Sequence, residues 1–497
     1  MRKKLIRTLV VFITVLCILS NNVALAATTS EDKDVEYLRS VMEMIKEKYK
    51  GNVTDEQLIE GALKGMFGTM DPYTVYWTPE EAESFLSSMD GSFGGIGISM
   101  EIIEDYIVAM KVFSNSPAEK AGITAGDKIV EANGKNLIGA SLEEAGATIR
   151  GEIGTKVTLG VIKKGTTEVT KMEVTRDLIK VNPVSYSIYN DIGYIKIDSF
   201  NSNTAENIEQ ALKEIDNKNI EKVILDLRNN PGGLVDQAVA VARKFVPEGL
   251  ITKLDYKSSS YNDEEFRSYL KTPKYKLVVL VNEMSASASE ILAGAIQDTN
   301  SGTLVGTKTF GKAKVQVVIP ILTAEAYAKY EKQVGTKLVD AYELIYKHGI
   351  TPLNSEIIGQ AKITVGEYTT PNGRMIDGQG LRPDYNVINK EQKKYVDFSG
   401  ISKLSINLAA EYPTEGLDVY NAERILKIAG YEVDAPDLIM DDKTKTAISK
   451  FQEDSGLVPV GLLDFSTQDA LNRKLDKLVT EFDEQYSLAI GLLKDRK

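Results

Sequence analysis

The stretch Lys276-Leu-Val-Val-Leu-Val-Asn-Glu-Met-Ser-Ala-Ser-Ala-Ser-Glu290 joins an apolar run to a serine-rich turn. The run from Lys276 to Val281 has the length and composition of a buried strand. Ser287 and Glu290 have the spacing of a capping box, with Ser as the helix N-cap and Glu at the third helical position. The free N–H groups of a first helical turn point toward any oxyanion formed beside them. The stretch therefore predicts a strand that delivers a serine to a helix N-terminus, where acyl transfer is feasible.

The segments upstream repeat this alternation of strand and helix. Gly193 to Ile197 is typical of a strand, and a helical pattern follows it. A second strand, Lys222 to Leu227, runs into the glycine-rich turn Arg228-Asn-Asn-Pro-Gly-Gly233 and then a helix. Alternating strands and helices indicate an α/β core, and open α/β sheets place their chemistry at such strand ends.

A serine hydroxyl is a weak nucleophile and needs a base. The 497 residues include one histidine, His348, and one cysteine, Cys17. His348, in Lys347-His348-Gly349, is typical of a solvated helix end. Disulfides, thiol catalysis and zinc sites built from His and Cys are therefore not expected, whereas carboxylate sites for hard cations are not excluded. No motif predicts a particular metal or cofactor. The net charge of −12 makes the chain a poor nucleic-acid binder.

A lysine is the remaining candidate base. Its pKa must fall from about 10.4 to roughly 7 to 8, through burial or nearby positive charge. Lys312 lies between Phe310-Gly311 and the β-rich run 315–319, where burial is plausible. Lys308 and Lys314 have no other support.

Residues 1–26 are typical of a secretory signal peptide, with basic residues, an apolar run from Leu9 to Leu19, and Ala24-Leu25-Ala26 as the cleavage site. An uncleaved N-terminal anchor is the alternative. Cys17 lies inside the apolar run, so the mature chain would lack cysteine. Residues 27–90 follow as a helical segment, in which Thr54 to Gln57 forms a capping box. One face of its first helix carries Val35, Leu38, Met42, Ile45 and Tyr49.

Residues 91–176 change to short strands with turn signals. Gly94-Gly95-Ile96-Gly97-Ile98 and Ser116-Pro-Ala-Glu-Lys-Ala-Gly-Ile123 together resemble a PDZ domain. The glycines alone would also fit a buried hairpin. The resemblance implies that Gly95, Ile96, Gly97 and Ile98 bind a terminal carboxylate through backbone N–H groups while the peptide adds to a sheet edge.

Residues 416–480 form a small helical module after a linker at 391–415. Ala447-Ile448-x-x-Phe451-Gln452, Gly456-Leu457 and Gly461-x-x-Asp464-x-x-Thr467 resemble a bacterial peptidoglycan-binding domain. A generic three-helix bundle is the alternative. Asp441 and Asp464 are predicted helix N-caps.

Four motifs in order resemble the carboxyl-terminal processing peptidases, or tail-specific proteases of S41 type. They are Asp226 to Gly233, Ser285 to Glu290, Thr309-Phe-Gly-Lys312 with Gln316, and Tyr368 to Gly373. The resemblance implies that Ser287 is the nucleophile, that Lys312 is the general base and that Gln316 holds the lysine. It also implies an oxyanion hole from the N–H groups of Gly233 and Ala288, and a regulatory contact for Arg150. Ser285 and Ser289 are the rival nucleophiles.

The sequence departs from this family at two places. Ala313 replaces the glycine that usually follows the lysine, and a charged helical insert occupies 321–361 of the peptidase core, residues 177–390. Neither departure removes a catalytic side chain.

The expected fold is multidomain α/β and α+β, with a core like the crotonase and ClpP spiral, a PDZ β-sandwich and helical ends. We expect an exported serine endopeptidase that recognises unfolded or extended C-terminal tails, binds peptidoglycan and, by the resemblance, forms a homodimer. Its expected location is the cell wall or the extracellular space. Two alternatives are an inactive PDZ and wall-binding scaffold, and a Ser/Lys amidase acting on peptidoglycan peptides.

Overall fold

The computed structural model describes residues 30–189, 191–258, 262–388, 401–406 and 414–495. The predicted signal peptide, with Cys17, and most of the predicted linker lie outside these residues. The chain divides into two compact units. The first draws on residues 1–79 and 317–363, and the second on 80–316 and 364–497. Within the described residues, no helix is both long enough and apolar enough to span a membrane.

The fourteen α-helices of the described residues are α1 Ser30–Lys48, α2 Asp55–Phe67, α3 Pro79–Asp90, α4 Pro117–Lys120, α5 Leu142–Ile149, α6 Thr204–Asn217, α7 Val235–Ala242, α8 Ala288–Asp298, α9 Ala324–Val334, α10 Ala341–His348, α11 Leu417–Ile428, α12 Asp442–Asp454, α13 Phe465–Phe482 and α14 Glu484–Asp495. A short 3₁₀ helix occupies Asn354–Glu356. His348 is exposed at the end of α10, as predicted.

The strands of the same residues are β1 Val75–Trp77, β2 Ser92–Gly95, β3 Ile98–Ile103, β4 Tyr106–Val112, β5 Lys128–Ala132, β6 Lys135–Asn136, β7 Lys156–Ile162, β8 Val169–Thr175, β9 Asp177–Lys180, β10 Val184–Tyr189, β11 Ile192–Ile197, β12 Lys222–Asp226, β13 Gly249–Tyr256, β14 Glu264–Ser268, β15 Lys276–Val281, β16 Thr303–Gly306, β17 Lys314–Leu322, β18 Ile357–Thr369 and β19 Tyr385–Asn386.

The core of the second unit is a six-stranded sheet in the order β10-β11-β12-β15-β16-β19. The pairs from β11 to β19 are parallel, and β10 adds an antiparallel edge. Along β15, Leu277, Val279 and Val281 face a cluster that includes residues of α6, α7 and α8. The alternate residues Val278 and Leu280 face the opposite side of the sheet. Both faces are thus buried, which explains why β15 is a continuous apolar run rather than an alternating one.

The C-terminal helix α14 covers that opposite face. Its Ala489, Ile490 and Leu493 pack in one buried cluster with Val278 and Leu280 of β15. The predicted helical module at 416–480, called the wall module below, ends before this helix, and no sequence motif predicts a role for it. Its sequence pattern is that of an ordinary surface helix, and its position follows only from the apolar sheet face that it covers.

The predicted PDZ segment forms a separate antiparallel sheet in the order β3-β4-β5-β7-β8, with β6 paired to β5. Ile96, Ala145 and Ile149 share its buried core, so α5 lies beside the turn that precedes β3. Strand β2 pairs with β9 outside this sheet. The fold class expected from sequence is confirmed.

The C-terminal module contains the three predicted helices, α11, α12 and α13, around one buried cluster. Asp441 and Asp464 cap α12 and α13 by accepting the N–H groups of Thr444 and Thr467, each at 2.7 Å. The buried amide of Gln452 accepts the N–H of Gly461 at 2.8 Å and donates to Oγ1 of Thr467 at 2.7 Å. These bonds explain the spacing of the Gln, Gly and Thr positions in the motif.

The first unit combines the N-terminal helices with the insert. Strand β1 pairs antiparallel with β18, with Tyr76 opposite Ala361, and α9 and α10 pack together through Ala326, Tyr330 and Leu344. Thr54 and Gln57 form the predicted capping box. No local pattern connects the two segments, because residues 80–316 divide them in the chain.

Candidate active site

Ser287 is the N-cap residue of α8 and has φ 55° and ψ −117°. A positive φ is uncommon for a residue with a side chain and stores strain that the surrounding structure must hold. Ala288 follows as the first residue of α8, so its N–H has no acceptor within the helix. The Ser287 side chain is half-buried, and the predicted nucleophile is therefore accessible beside a helix N-terminus.

The two rival serines are fully buried and hydrogen-bonded. Oγ of Ser285 donates to the carbonyl of Leu227 at 2.8 Å and accepts the N–H of Asn282 at 3.0 Å. Oγ of Ser289 donates to the carbonyl of Asn230 at 2.9 Å. Both serines attach the nucleophile segment to the loop after β12, and neither is available to a substrate.

The predicted glycine-rich turn lies directly against Ser287. A Cβ on Gly232 would lie 2.8 Å from Cβ of Ser287 and 3.0 Å from the backbone nitrogen of Ala288. A Cβ on Gly233 would lie 2.1 Å from the carbonyl oxygen of Phe200, which accepts the N–H of Leu234 at 2.7 Å. Both positions exclude any side chain. The structure thus brings the segments of Gly233 and Ala288, the predicted oxyanion donors, together.

Glu290 is buried at the third position of α8 and joins the serine and lysine segments. Its Oε2 accepts the N–H of Ser287 at 3.0 Å and the N–H of Lys312 at 2.9 Å. Its Oε1 accepts Oγ1 of Thr309 at 2.5 Å and the N–H of Gly311 at 2.8 Å. Burial raises the pKa of Glu290, although these four donors oppose the rise. The carboxylate therefore fixes the backbone of both predicted catalytic residues.

Tyr368 joins the same two segments from the other side. Its hydroxyl lies 2.9 Å from the carbonyl oxygen of Ser287 and 2.6 Å from that of Lys312. The ring is 2% exposed, and burial raises the pKa of the phenol well above its usual value. A neutral tyrosine hydroxyl at this point keeps the serine and lysine turns at a fixed separation.

The side chain of Lys312 is half-buried, and the two alternative bases, Lys308 and Lys314, differ from it in exposure or in ion pairing. Lys308 is exposed. Lys314 pairs with Glu367 and Asp377, and the hydrogen bond that it donates to Glu367 raises its pKa, which is opposite to what a general base needs. Ala313, where the family usually has glycine, is buried and donates its N–H to Asp377 at 3.0 Å.

Gln316 lies on β17, four residues after Lys312. Its Nε2 donates to Oγ1 of Thr364 on β18 at 3.2 Å, which fixes the amide between two strands. Its predicted role, holding the lysine, remains a prediction.

The predicted carboxylate loop connects β2 to β3, the terminal strand of the PDZ sheet. Gly97 has φ 81°, and its carbonyl accepts the N–H of Phe113 at 2.9 Å. The carbonyl of Ile96 accepts the N–H of Ala118 at 2.8 Å. These two bonds fix the loop beside β3, the terminal strand of its sheet, and its predicted role in binding a terminal carboxylate remains a prediction. Arg150 is exposed, and its guanidinium lies 4.8 Å from the ring centre of Phe93.

The sequence did not predict that Glu290 and Tyr368 would each contact both Ser287 and Lys312. Glu290 was identified only as part of a capping box, and Tyr368 only as the start of a motif. Glu290 lies 22 residues and Tyr368 lies 56 residues from Lys312 in the chain, and no local sequence pattern predicts contacts at such separations.

Comparison with known proteins agrees with this architecture. The profile of peptidase family S41 matches residues 191–387, and the PDZ domain profile matches 94–174. The N-terminal domain of the activating protease CtpB matches residues 19–81, and a peptidoglycan binding domain matches 415–471.

Two curated relatives come from Bacillus subtilis (strain 168). The carboxy-terminal processing protease CtpA is 32% identical over 472 residues, which are 94% of this chain and 92% of the relative. The carboxy-terminal processing protease CtpB is 28% identical over 471 residues, 94% of this chain and 90% of the relative. Among solved structures, the photosystem II D1 C-terminal processing protease is 26% identical, with a TM-score of 0.38, over 70% of this chain and 86% of that one. The chain belongs to the carboxy-terminal processing proteases of peptidase family S41, which are serine-type, and carries a PDZ domain and a peptidoglycan-binding domain.

Proposed function

We propose that the chain is an exported endopeptidase that cleaves peptide bonds with a Ser287/Lys312 dyad through an acyl-enzyme. The observation that carries the proposal is the double attachment of the serine and lysine turns by Glu290 and Tyr368. Two segments 25 residues apart in the chain are held together by buried groups, and this supports a site that needs both side chains.

In the first step, Oγ of Ser287 attacks the substrate carbonyl carbon, and its proton passes to the neutral amine of Lys312. The carbonyl oxygen becomes an oxyanion, which the N–H groups of Gly233 and Ala288 stabilise. When the tetrahedral intermediate collapses, the peptide C–N bond breaks and the ammonium of Lys312 returns the proton to the leaving amine. Water then attacks the resulting ester with Lys312 as base, and the acid product and free serine form.

Lys312 must be neutral for the first step. Its side chain is half-buried, in the turn that Glu290 and Tyr368 attach to the segment of Ser287. Gln316 would hold the lysine, since its own amide is fixed by Thr364.

The proposal assigns tail capture to residues 91–176, cleavage to 177–390 and wall attachment to 416–480, with residues 27–90 as the helical N-terminal segment. The substrate's terminal carboxylate would meet the N–H groups of the Gly95 to Ile98 loop while its chain extends along β3. Arg150 would respond to a bound tail. The exposed apolar side chains Val35, Tyr37 and Leu38 of α1 support a homodimer through this segment. Peptidoglycan binding supports a location at the cell envelope after export.

The test is cleavage of an unfolded protein that ends in an apolar tail, compared with the same protein carrying a charged tail. Wild-type enzyme should cleave the first substrate faster, and Ser287→Ala and Lys312→Ala should each lower kcat by at least about a thousandfold. Undiminished cleavage by Ser287→Ala would sink the assignment. Release of stem peptides from purified peptidoglycan, with no cleavage of either protein, would instead support the amidase alternative.

A further inference from the structure

Asp483 connects the last helix of the wall module, α13, to α14, the helix that covers the back of the catalytic sheet. Its Oδ1 accepts the N–H of Tyr486 at 3.0 Å and so caps α14. Its Oδ2 accepts Nη1 of Arg228 at 2.7 Å. The two partners lie 255 residues apart in the chain. One carboxylate therefore begins the C-terminal helix and contacts the peptidase core.

Arg228 lies in the loop between β12 and the oxyanion turn, and its side chain is 16% exposed. Its Nη2 donates to Oδ2 of Asp226 at 2.6 Å, and its Nε contacts both oxygens of the same carboxylate at 3.0 Å. Gln485, at the start of α14, accepts Nη1 at 3.1 Å and donates to the carbonyl of Val387 at 2.8 Å. The hydroxyl of Tyr194 donates to Asp226 at 2.7 Å. The guanidinium thus has partners on both sides, from the sheet and from α14.

Arg228 begins a loop, and Asn230, two residues further along the chain, attaches this loop to the segment that carries Ser287. The buried amide of Asn230 accepts the N–H of Gly232 at 2.9 Å and donates to the carbonyl of Ile197 at 2.9 Å. Its backbone carbonyl accepts Oγ of Ser289 at 2.9 Å and the N–H of Ala286 at 3.1 Å. Arg228 therefore lies on the same short loop as the Gly232-Gly233 turn, which Asn230 attaches to the segment of Ser287.

We propose that Asp483 and Arg228 are positioning residues for the oxyanion hole, so that the C-terminal helix completes the peptidase site from behind the sheet. The inference rests on the proposed function, because it takes Gly233 as an oxyanion donor. An oxyanion donor must point at a position reached only in the transition state, so a small displacement of its turn lowers kcat and leaves substrate binding unchanged. A guanidinium held by carboxylates from two directions prevents that displacement.

The central variant is Asp483→Asn. Asparagine is an equally good helix cap, so α14 should remain folded, but the charge on Arg228 loses one of its two carboxylates. We expect a five- to twentyfold fall in kcat with KM within twofold of wild type. Arg228→Lys, which loses the forked contact with Asp226, should show the same split. The control is Asp469→Asn on α13, which pairs with Arg473 one turn later on the same helix, and it should keep wild-type kcat.

The kcat values of Asp483→Asn, Arg228→Lys and the control are compared at equal folded fraction, which thermal unfolding measures. Wild-type kcat in folded Asp483→Asn would overturn the inference, as would a rise in KM that accounts for the whole loss. Ser287→Ala is assayed in parallel. If Ser287→Ala cleaves normally, the proposed function fails. If only Asp483→Asn and Arg228→Lys cleave normally, the inference fails alone.

Discussion

The hydroxyl of Tyr368 lies 2.6 Å from the carbonyl oxygen of Lys312. It also lies 2.9 Å from the carbonyl oxygen of Ser287, and Glu290 joins the same two residues through their N–H groups. The proposed nucleophile and base are therefore attached to each other by backbone contacts on both sides. This arrangement fixes the backbone positions from which the two side chains extend.

Tyr368→Phe should lower kcat about tenfold and leave KM close to wild type. The change removes the hydroxyl between the two carbonyls, and loss of one buried hydrogen bond costs about 1 kcal/mol. Steady-state kinetics on the tailed protein substrate check the result. The matched control is Tyr330→Phe, since that hydroxyl is also buried and hydrogen-bonded, to Glu356 at 2.7 Å. Equal kinetic effects in the two variants would contradict a positioning role.

Glu290→Gln should lower both activity and stability. The carboxylate accepts four donors, whereas an amide nitrogen accepts none, so two donors would face its NH₂ group. Each buried donor left unsatisfied costs about 1–3 kcal/mol. Thermal unfolding and kcat check this. Glu144→Gln is the control, because Glu144 accepts the N–H of Ser141 in an exposed capping box at 3.0 Å, and it should change stability by under about 1 kcal/mol.

The three serines of the turn should behave differently as alanine variants. Ser285→Ala and Ser289→Ala should unfold at lower temperature, because each leaves buried partners without a hydrogen bond. The folded fraction of each should still label with a fluorophosphonate probe. Ser287→Ala should keep an unfolding temperature close to wild type, because its side chain is only half-buried whereas those of Ser285 and Ser289 are fully buried, and it should not label. Labelling of Ser287→Ala would contradict the choice of nucleophile.

Gly232→Ala should abolish cleavage. Its φ is 102°, and a Cβ would meet Cβ of Ser287 at 2.8 Å and the carbonyl of Ala286 at 2.7 Å, so the nucleophile turn must move. Gly134→Ala separates this clash from backbone strain, since Gly134 has φ 82° and nothing within 4 Å. That control should cost about 1–2 kcal/mol in stability and keep wild-type kcat. Normal cleavage by Gly232→Ala would contradict the close approach of the two turns.

The wall module should be less stable above neutral pH than below it. Glu423 is 4% exposed, and burial raises its pKa from 4.5 to about 7. Between these values the folded carboxyl holds a proton that the unfolded one has lost, so stability falls as the pH rises through this window. Across this window the free energy of unfolding falls by about 3 kcal/mol. Hydrogen exchange of α11 and α12 amides at pH 5 and pH 8, corrected for intrinsic rates, measures it.

Glu423→Gln should remove most of that dependence. The amide can accept the N–H of Asp437 and donate to Thr444, as a protonated carboxyl would. An unchanged pH dependence in this variant would assign the effect to another group.

Much of the fold follows from local sequence patterns. The apolar run of β15, the capping residues Thr54, Asp441 and Asp464, and the glycine pattern of the PDZ loop each act through neighbours a few residues away. Such signals depend on backbone geometry and periodicity, so they can be interpreted without knowing what packs against them. The helix α14 carried no comparable signal, because its place depends on a sheet face formed by residues about 200 positions earlier.

The sequence by itself determined which groups are available for chemistry: a serine at a helix N-terminus, lysines as the candidate bases in a chain with one histidine, and a glycine-rich turn between strand and helix. Tertiary structure alone decided which serine is accessible, since Ser285 and Ser289 are buried and donate hydrogen bonds to the loop after β12. It alone also joined Ser287 to Lys312 through Glu290 and Tyr368, and Arg228 to Asp483. The physical reason is that burial and hydrogen bonding between distant segments depend on the packed chain, whereas caps and periodicity depend only on neighbours.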